Sequence, residues 1–512
     1  MRRFTTTLFI LATLLLNLLP ACDGLDEPYS ANPTYRLSFS TDTLAFDTVF
    51  STIGSTTRQF MIYNENDEPL SIESILLAGG EATGFRMNVD GRRGSLFNNV
   101  GILAHDSMYV FVEVTVDPNG GDQPLLIQDS VLFTVNGVRQ SVLLEAYGQD
   151  VNLCKGGVTI TRDSILTARR PYLVYDSLVI AKGVSLRIEK GATFYMHDKA
   201  SLIVHGSMNA SGTLDEPITF RGDRLDYILD DLLPYDRTPG QWGGITFKAD
   251  SYGNVWDNVI VRNGTSGVYC EPSTPDRPKI TINNSQITNM GGDLFLAVNC
   301  EVIAANTEFS NAAGSVLTLA GGSYYFAHCT MANYMSLTQR EMAGETVSLD
   351  SKCLYLLDNV TVDGGGPYPI ARAHFDNCVI DGSYEAGEIG TSGEIGIASG
   401  QPLTPRADGG TDFDYRFNHC VLKARESSGD HFREVLFIQE TPSYRKVGGK
   451  PNQYAYDFRP DSASTAGVGK ADPEVTRNYP VDRYGVDRLT ASDGPTIGAY
   501  EFVREETEDP GE

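Results

Sequence analysis

From residue 34 onward the apolar residues fall into short runs rich in β-branched and aromatic side chains. Leu37–Phe39, Thr43–Phe46, Phe60–Tyr63, Met108–Val116 and Val131–Val135 are of this kind. Asn64-Glu65-Asn66-Asp67, Gly79-Gly80 and Pro118-Asn119-Gly120-Gly121 separate them as turns. Many short strands with regular turn signals predict a sandwich over residues 34–150. From about residue 151 the texture changes. Val179-Ile180, Val184-Leu186-Ile188, Ala192-Phe194 and Leu202-Val204 are separated by small turns at Lys182-Gly183, Lys190-Gly191 and His205-Gly206.

A six-residue phrase then recurs seven times, starting at Asn258, Asn284, Asn306, His328, Asn359, Asn377 and His419. The starts are 26, 22, 22, 31, 18 and 42 residues apart. A period near 22 with variable insertions predicts a solenoid with one coil per repeat. The first position is Asn or His, which suits a tight corner in left-handed backbone where amides bond along a ladder. The second is Val, Ser, Thr or Cys. The fourth is apolar throughout: Val261, Ile287, Phe309, Met331, Val362, Ile380 and Leu422. Side chains alternate faces along a strand, so positions two and four point inward and three and five outward. Cys329, Cys378 and Cys420 share the second column and read as small core residues.

The chain start adds a compartment. Arg2 and Arg3 precede an apolar run, Leu8 to Leu19, broken only by Thr13 and Asn17. This describes a secretory signal peptide over residues 1–21. It is too short for a membrane-spanning helix, which needs roughly 20 apolar residues. Leu19-Pro20-Ala21-Cys22 resembles the lipobox of bacterial lipoproteins. The resemblance implies cleavage before Cys22 and acylation of Cys22, with palmitate-type chains anchoring the protein to a membrane. Several acyl chains make a stable anchor. Polar residues 22–33 then form a tether, and the acidic stretch 503–512 a disordered tail.

The formal charge of −26 is spread along the chain, which excludes nucleic acid as a partner, since phosphate neutralisation needs clustered Lys and Arg. Eight cysteines occur without a CxxC pair or a Cys/His cluster of zinc spacing, so no disulfide framework and no metal site stand out.

Three further stretches resemble known families. Thr43-Leu44-Ala45-Phe46, Tyr63-Asn64 and Leu144-Glu145-Ala146-Tyr147-Gly148 resemble the Hydin/ASPM-type immunoglobulin-like domains, which act as spacers or adhesion modules. Gly212-Thr213-Leu214-Asp215-Glu216-Pro217-Ile218-Thr219-Phe220 and Trp242-Gly243-Gly244-Ile245-Thr246-Phe247 resemble the opening rungs of right-handed parallel β-helix proteins of the pectate-lyase-like superfamily. Asp482-Arg483-Tyr484-Gly485-Val486-Asp487-Arg488 and Ile497-Gly498-Ala499-Tyr500-Glu501 resemble the closing segment of secreted bacterial β-helix proteins, where a short strand caps the last coil. The expected fold is all-β: an immunoglobulin-like β-sandwich over 34–150, followed by a right-handed single-stranded parallel β-helix over 151–502.

Candidate chemistry is sparse. The polygalacturonase-type motifs, GxSxG, HExxH and the P-loop do not occur. In outward column five the last three repeats carry Asp363, Asp381 and Lys423. Stacked in register, two carboxylates about 5 Å apart would serve as acid and nucleophile of a retaining glycosidase. They would equally hold Ca²⁺. The plainer reading is three unrelated charges on a wet sheet face. Two loops interrupt the coils: residues 225–240, with Tyr227, Asp230, Asp231 and Tyr235, and residues 382–414, rich in Gly, Ser and Glu. Tyr227 and Tyr235 are candidates for stacking on sugar rings.

A triplet of Asp, then Ser or Thr, then an aliphatic residue or Met places Thr43, Thr48, Ser107, Ser130, Ser164, Ser177 and Ser462 in a common setting. It resembles the acceptor motif of bacterial general O-glycosylation, although Asp and Ser also favour turns on their own account. The expected role is a cell-envelope lipoprotein on the outer membrane or cell surface. The role expected there is non-catalytic and without a cofactor: surface adhesion, glycan binding or envelope architecture, with a polysaccharide or a surface protein as partner. The alternative is a polysaccharide lyase or glycosidase working from the outer face of the β-helix.

Overall fold

The computed structural model describes residues 28–229, 232–341, 349–362, 364–400, 413–448, 454–464 and 466–504. Cys22, the signal segment, Asp230, Asp231 and Asp363 lie outside the described residues. Backbone contacts divide the chain between Asp150 and Val151.

The first unit is a β-sandwich. Alternation of apolar and polar residues gives each strand one buried face, as in Ser107–Val114, where Val110, Val112 and Val114 are fully buried. One five-stranded sheet runs Ser38–Phe39, Arg58–Tyr63, Ser107–Val114, Phe85–Val89, Arg92–Gly94. The other runs Thr43–Phe50, Val138–Gln149, Leu125–Val135, Leu70–Leu77, Leu96–Ile102. Pairing is antiparallel except between Thr43–Phe50 and Val138–Gln149, which run parallel with Leu44 opposite Leu144. The inner faces meet through Phe60, Ile62, Phe85 and Phe133.

The second unit is a parallel β-helix. Its strands stack into three parallel sheets of eleven, nine and ten strands among the described residues. Like residues stack upon like inside the coils. Tyr172, Phe194 and Phe220 lie ring on ring at 4.8 and 4.6 Å. Phe326, Phe375 and Phe417 continue at 5.2 and 5.1 Å.

The repeat phrase occupies the eleven-stranded sheet. All seven first-position residues sit in left-handed backbone, with φ between 47° and 55°. In the second column the hydroxyl or thiol donates to the carbonyl two residues earlier: Ser285 to Asn283 (2.6 Å), Thr307 to Ala305 (2.8 Å), Cys378 to Asp376 (3.3 Å). These residues are buried, and so are the fourth-column Val261, Ile287, Phe309, Met331, Ile380 and Leu422.

Two expectations are corrected. The fifth copy of the phrase is not a rung. Asn359 takes the corner conformation, but Val360–Val362 then pairs antiparallel with Gly365–Tyr368. The run Gly364-Gly365-Gly366-Pro367 turns the chain back into a hairpin before a coil can form. The rung after Thr330–Asn333 is therefore Val379–Gly382. The closing segment is also not a strand capping the last coil. It contains the hairpin of Tyr444–Val447 with Tyr456–Pro460 and a helical turn, Pro473–Thr476. It lies along the outer face of the eleven-stranded sheet. Arg483 donates to the Ser285 carbonyl (3.2 Å), the Ala499 N–H to Thr330 Oγ1 (3.0 Å) and the Gly498 N–H to the Asn377 carbonyl (2.9 Å).

Candidate functional site

The outer face of the eleven-stranded sheet is set by positions three and five. In register they read Ile260, Gln286, Glu308, Thr330, Val379 and Arg262, Thr288, Ser310, Ala332, Asp381. The neighbours of Asp381 along its column are thus Ala332 and Lys423. The fifth copy, whose described residues Val360–Val362 leave the stack, contributes no rung beside Asp381, and Asp363 itself lies outside the described residues.

Asp381 and Lys423 do come together, with Nζ 3.9 Å from Oδ1, but on a covered face. Asp381 is fully buried. Its Oδ2 accepts a hydrogen bond from the Tyr334 hydroxyl (2.6 Å), while its Oδ1 has no hydrogen-bond partner. Lys423 donates to the Gly382 carbonyl (2.7 Å) and to Thr441 (3.3 Å). Burial pushes the Asp381 carboxyl up to about 6, against the lowering effects of Tyr334 and Lys423. A carboxyl sealed beneath Tyr334 and Thr441, with an ammonium beside it, suits neither a substrate nor Ca²⁺. For Asp381 and Lys423 the expectation of charges on a wet face is corrected on the same ground.

Tyr227 is exposed on the two-stranded Tyr227–Leu229/Leu233–Pro234 element. The ring of Tyr235 lies 4.0 Å from the Arg224 guanidinium. Neither side chain is among those lining the cleft on the eleven-stranded sheet, although Asp236 and Arg237, next to Tyr235, are.

A cleft of about 370 Å³ does open on this sheet, three rungs from Arg262 to Glu308 forming its floor. The floor is knitted together: Gln286 donates to Glu308 (2.9 Å), Ser310 donates to Glu308 (2.6 Å) and the Thr288 and Ser310 hydroxyls lie 2.8 Å apart. The Tyr500 hydroxyl donates to the other Glu308 oxygen. Burial first and the Glu308 carboxylate second hold the Tyr500 phenol protonated, so it remains a donor.

One wall is the turn Tyr235–Arg237. Asn263 and Asn289 fasten it by donating to the carbonyls of Asp236 (2.9 Å) and Arg237 (2.8 Å). The Asp236 carboxylate lies 3.0 Å from both Arg221 and Arg262. The opposite wall is Tyr484 and Tyr500, stacked at 5.5 Å. Arg483 backs both rings at 5.3 and 5.9 Å. Lys446, Tyr456 and Asp457 of the hairpin close one end.

Sequence reasoning missed these aromatics because it took the closing segment for a cap. The signal present was the density of Tyr between residues 444 and 500. A second cavity of similar volume, in the sandwich, is bounded by Leu77, Phe85, Met87 and Val112, side chains of that unit's own core.

No protein-family model and no curated protein matches the sequence. Solved structures match over about a quarter of the chain. A protein of unknown function from Porphyromonas gingivalis W83 is 12% identical over 26% of this chain and 57% of its own, with a TM-score of 0.18. A PapD-like domain of human CEP192 is 10% identical over 25% of this chain and 95% of its own, with a TM-score of 0.16. The E. coli chaperone DraB is 13% identical over 23% of this chain and 55% of its own, also at 0.16.

Proposed function

We propose that this protein is a lipid-anchored component of the bacterial cell envelope, at the outer membrane or cell surface, and that its β-helix binds glycan in the Arg262–Glu308 cleft without turning it over. The observation that carries the binding reading is the pairing of a hydroxyl- and amide-rich floor with a wall of stacked tyrosines. Sugars offer both hydroxyls and an apolar ring face, and aromatic side chains present a flat apolar body with a polar tip. The lipobox at Cys22 supports the anchor, and the sandwich serves as the Hydin/ASPM-type spacer carrying the solenoid.

The cleft's carboxylates favour binding over hydrolysis. Asp236 is paired with Arg221 and Arg262, Glu308 is held by Gln286, Ser310 and Tyr500, and Asp457 by Arg459 at 2.5 Å. An acid or base at work must exchange protons with a substrate rather than remain fully engaged by neighbours.

Screening the detergent-solubilised protein on a glycan array tests the reading. Binding should appear, and Tyr484→Ala, an exposed position, should weaken it by about tenfold, as expected for loss of one ring contact of about 1.4 kcal/mol. A silent array, or a Tyr484→Ala protein that binds unchanged, would overturn it. Release of shortened saccharides from the bound glycan would establish the enzymatic alternative instead.

A further inference from the structure

We infer that the cleft takes the end of a glycan chain rather than a stretch of its interior. This deepens the glycan-binding reading and rests on it. The eleven-stranded sheet is long enough for an open groove across many rungs, but its outer face is already closing at the Glu308 rung, where Ser310 is fully buried, and is covered from the Thr330 rung onward. Ala332 is buried with Phe458, Ala499 and Tyr500. Asp381 and Lys423 are sealed beneath Tyr334 and Thr441. The cleft therefore runs into a wall on that side.

That wall is firmly held. Tyr334, Tyr444 and Phe458 pack edge to face or tilted at 5.3 to 6.4 Å. The Tyr456 hydroxyl bonds Ser336 at 2.7 Å. The two flanks are occupied as well, by Asp236 with Arg237 and by Tyr484 with Tyr500. What stays open along the sheet is the column of Ile260, on the Arg262 rung itself, and Thr219, on the rung before it, both half-exposed. Two rung intervals give about 10 Å of floor at the spacing of hydrogen-bonded strands, which fits a short saccharide. A polymer bound through its interior must leave such a site at both ends, and one of the two exits is blocked.

The test is calorimetric titration of the full, detergent-solubilised protein with defined gluco-, xylo- and N-acetylglucosamino-oligosaccharides of one to six rings. Each series is used free, capped at the reducing end, capped at the non-reducing end and capped at both. For a series that binds, affinity should rise over the first few rings and then change less than about twofold up to six. One of the two single caps should lower affinity by at least about tenfold while the other leaves it unchanged. Affinity that keeps growing with every added ring, or a doubly capped hexasaccharide binding as the free one does, would overturn the inference and leave glycan binding standing. No binding in any series would remove the glycan reading itself, and the inference with it.

Discussion

At the residue scale the solenoid depends on two recurring chemical choices. The corner residue of each repeat sits at φ near 50°, a region that costs most L-residues about 1–2 kcal/mol and that Asn tolerates best. The corner side chains also bond one another, the Asn306 amide donating to Asn284 Oδ1 at 3.3 Å and the Asn377 amide lying 2.9 Å from the His328 ring nitrogen Nε2. The next residue must be small; Ser, Thr and Cys interchange there because each also donates to the carbonyl two positions back, while Val259 fills the place by packing alone. The apolar residue two positions further on fills the coil. Phe309 packs edge-on against Phe295 and Phe326 at 5.7 and 5.9 Å. Phe309→Asp would place an unpaired carboxylate there, at a cost of several kcal/mol. Loss of soluble expression or a large drop in unfolding temperature is expected, and an unchanged melting curve would show that the inward column is misassigned.

At the scale of elements, the segment after residue 440 decides which part of the sheet face is a cleft and which part is core. Its burial of Asp381 has a thermodynamic signature. The folded carboxyl is raised to about 6, against about 3.9 in an unfolded chain. The folded state binds this proton more tightly, so its contribution to stability is complete below about pH 4 and is lost as pH rises through about 6. A gap of about two units corresponds to about 3 kcal/mol. The difference in unfolding free energy between the wild type and Asp381→Asn should therefore drift by roughly that amount between pH 4 and pH 7, with the wild type losing ground as pH rises. A difference that stays constant across the range would mean that the carboxyl titrates alike in both states. The same segment buries Arg488 against Glu501 at 3.3 Å. Glu501→Ala would take away the carboxylate that pairs with that buried guanidinium, leaving it the Thr496 and Gly498 carbonyls and the Asn306 amide, and should cost about 3–5 kcal/mol in chemical denaturation. A loss under 1 kcal/mol, the scale of an exposed pair, would show the segment to be loosely attached.

For the whole molecule, export and modification are the properties to measure. Protein purified from membranes should yield no peptide from residues 1–21 and a lipid-modified Cys22, and Cys22→Ala should no longer partition into detergent. A variant that partitions as the wild type does would remove the anchor. Three of the seven Asp-Ser/Thr triplets have a clear local role. The Asp106 and Asp129 carboxylates accept the N–H of the following serine at 2.7 Å each, and Asp461 accepts that of Ala463 at 2.8 Å. Of the acceptor hydroxyls, Ser107 and Ser462 are exposed, while Thr43, Thr48, Ser130, Ser164 and Ser177 are half-buried. A glycan must project into solvent, so Ser107 and Ser462 are the positions expected to carry one in a host with such a pathway. An intact mass equal to the lipidated polypeptide alone would leave only the turn role.

The sequence by itself determined the local geometry. Strand alternation, turn residues and the period near 22 specified a sandwich and a stacked coil, because inward and outward positions repeat at fixed intervals and each rung satisfies its backbone on the next. Asn359 shows the limit of that reading. Its phrase matches the repeat, but the Gly-rich turn beyond Val362 competes for the same strand, and the choice belongs to pairing rather than to pattern. The tertiary structure alone decided the site. Gln286 and Glu308 are adjacent because rungs stack, but Tyr484 and Tyr500 reach them from nearly 200 residues away, through contacts such as Arg483 to the Ser285 carbonyl. No periodicity encodes where a non-repeating segment docks. That depends on the surface the folded coils present to it, and the docking both buried Asp381 and left the Arg262–Glu308 floor open.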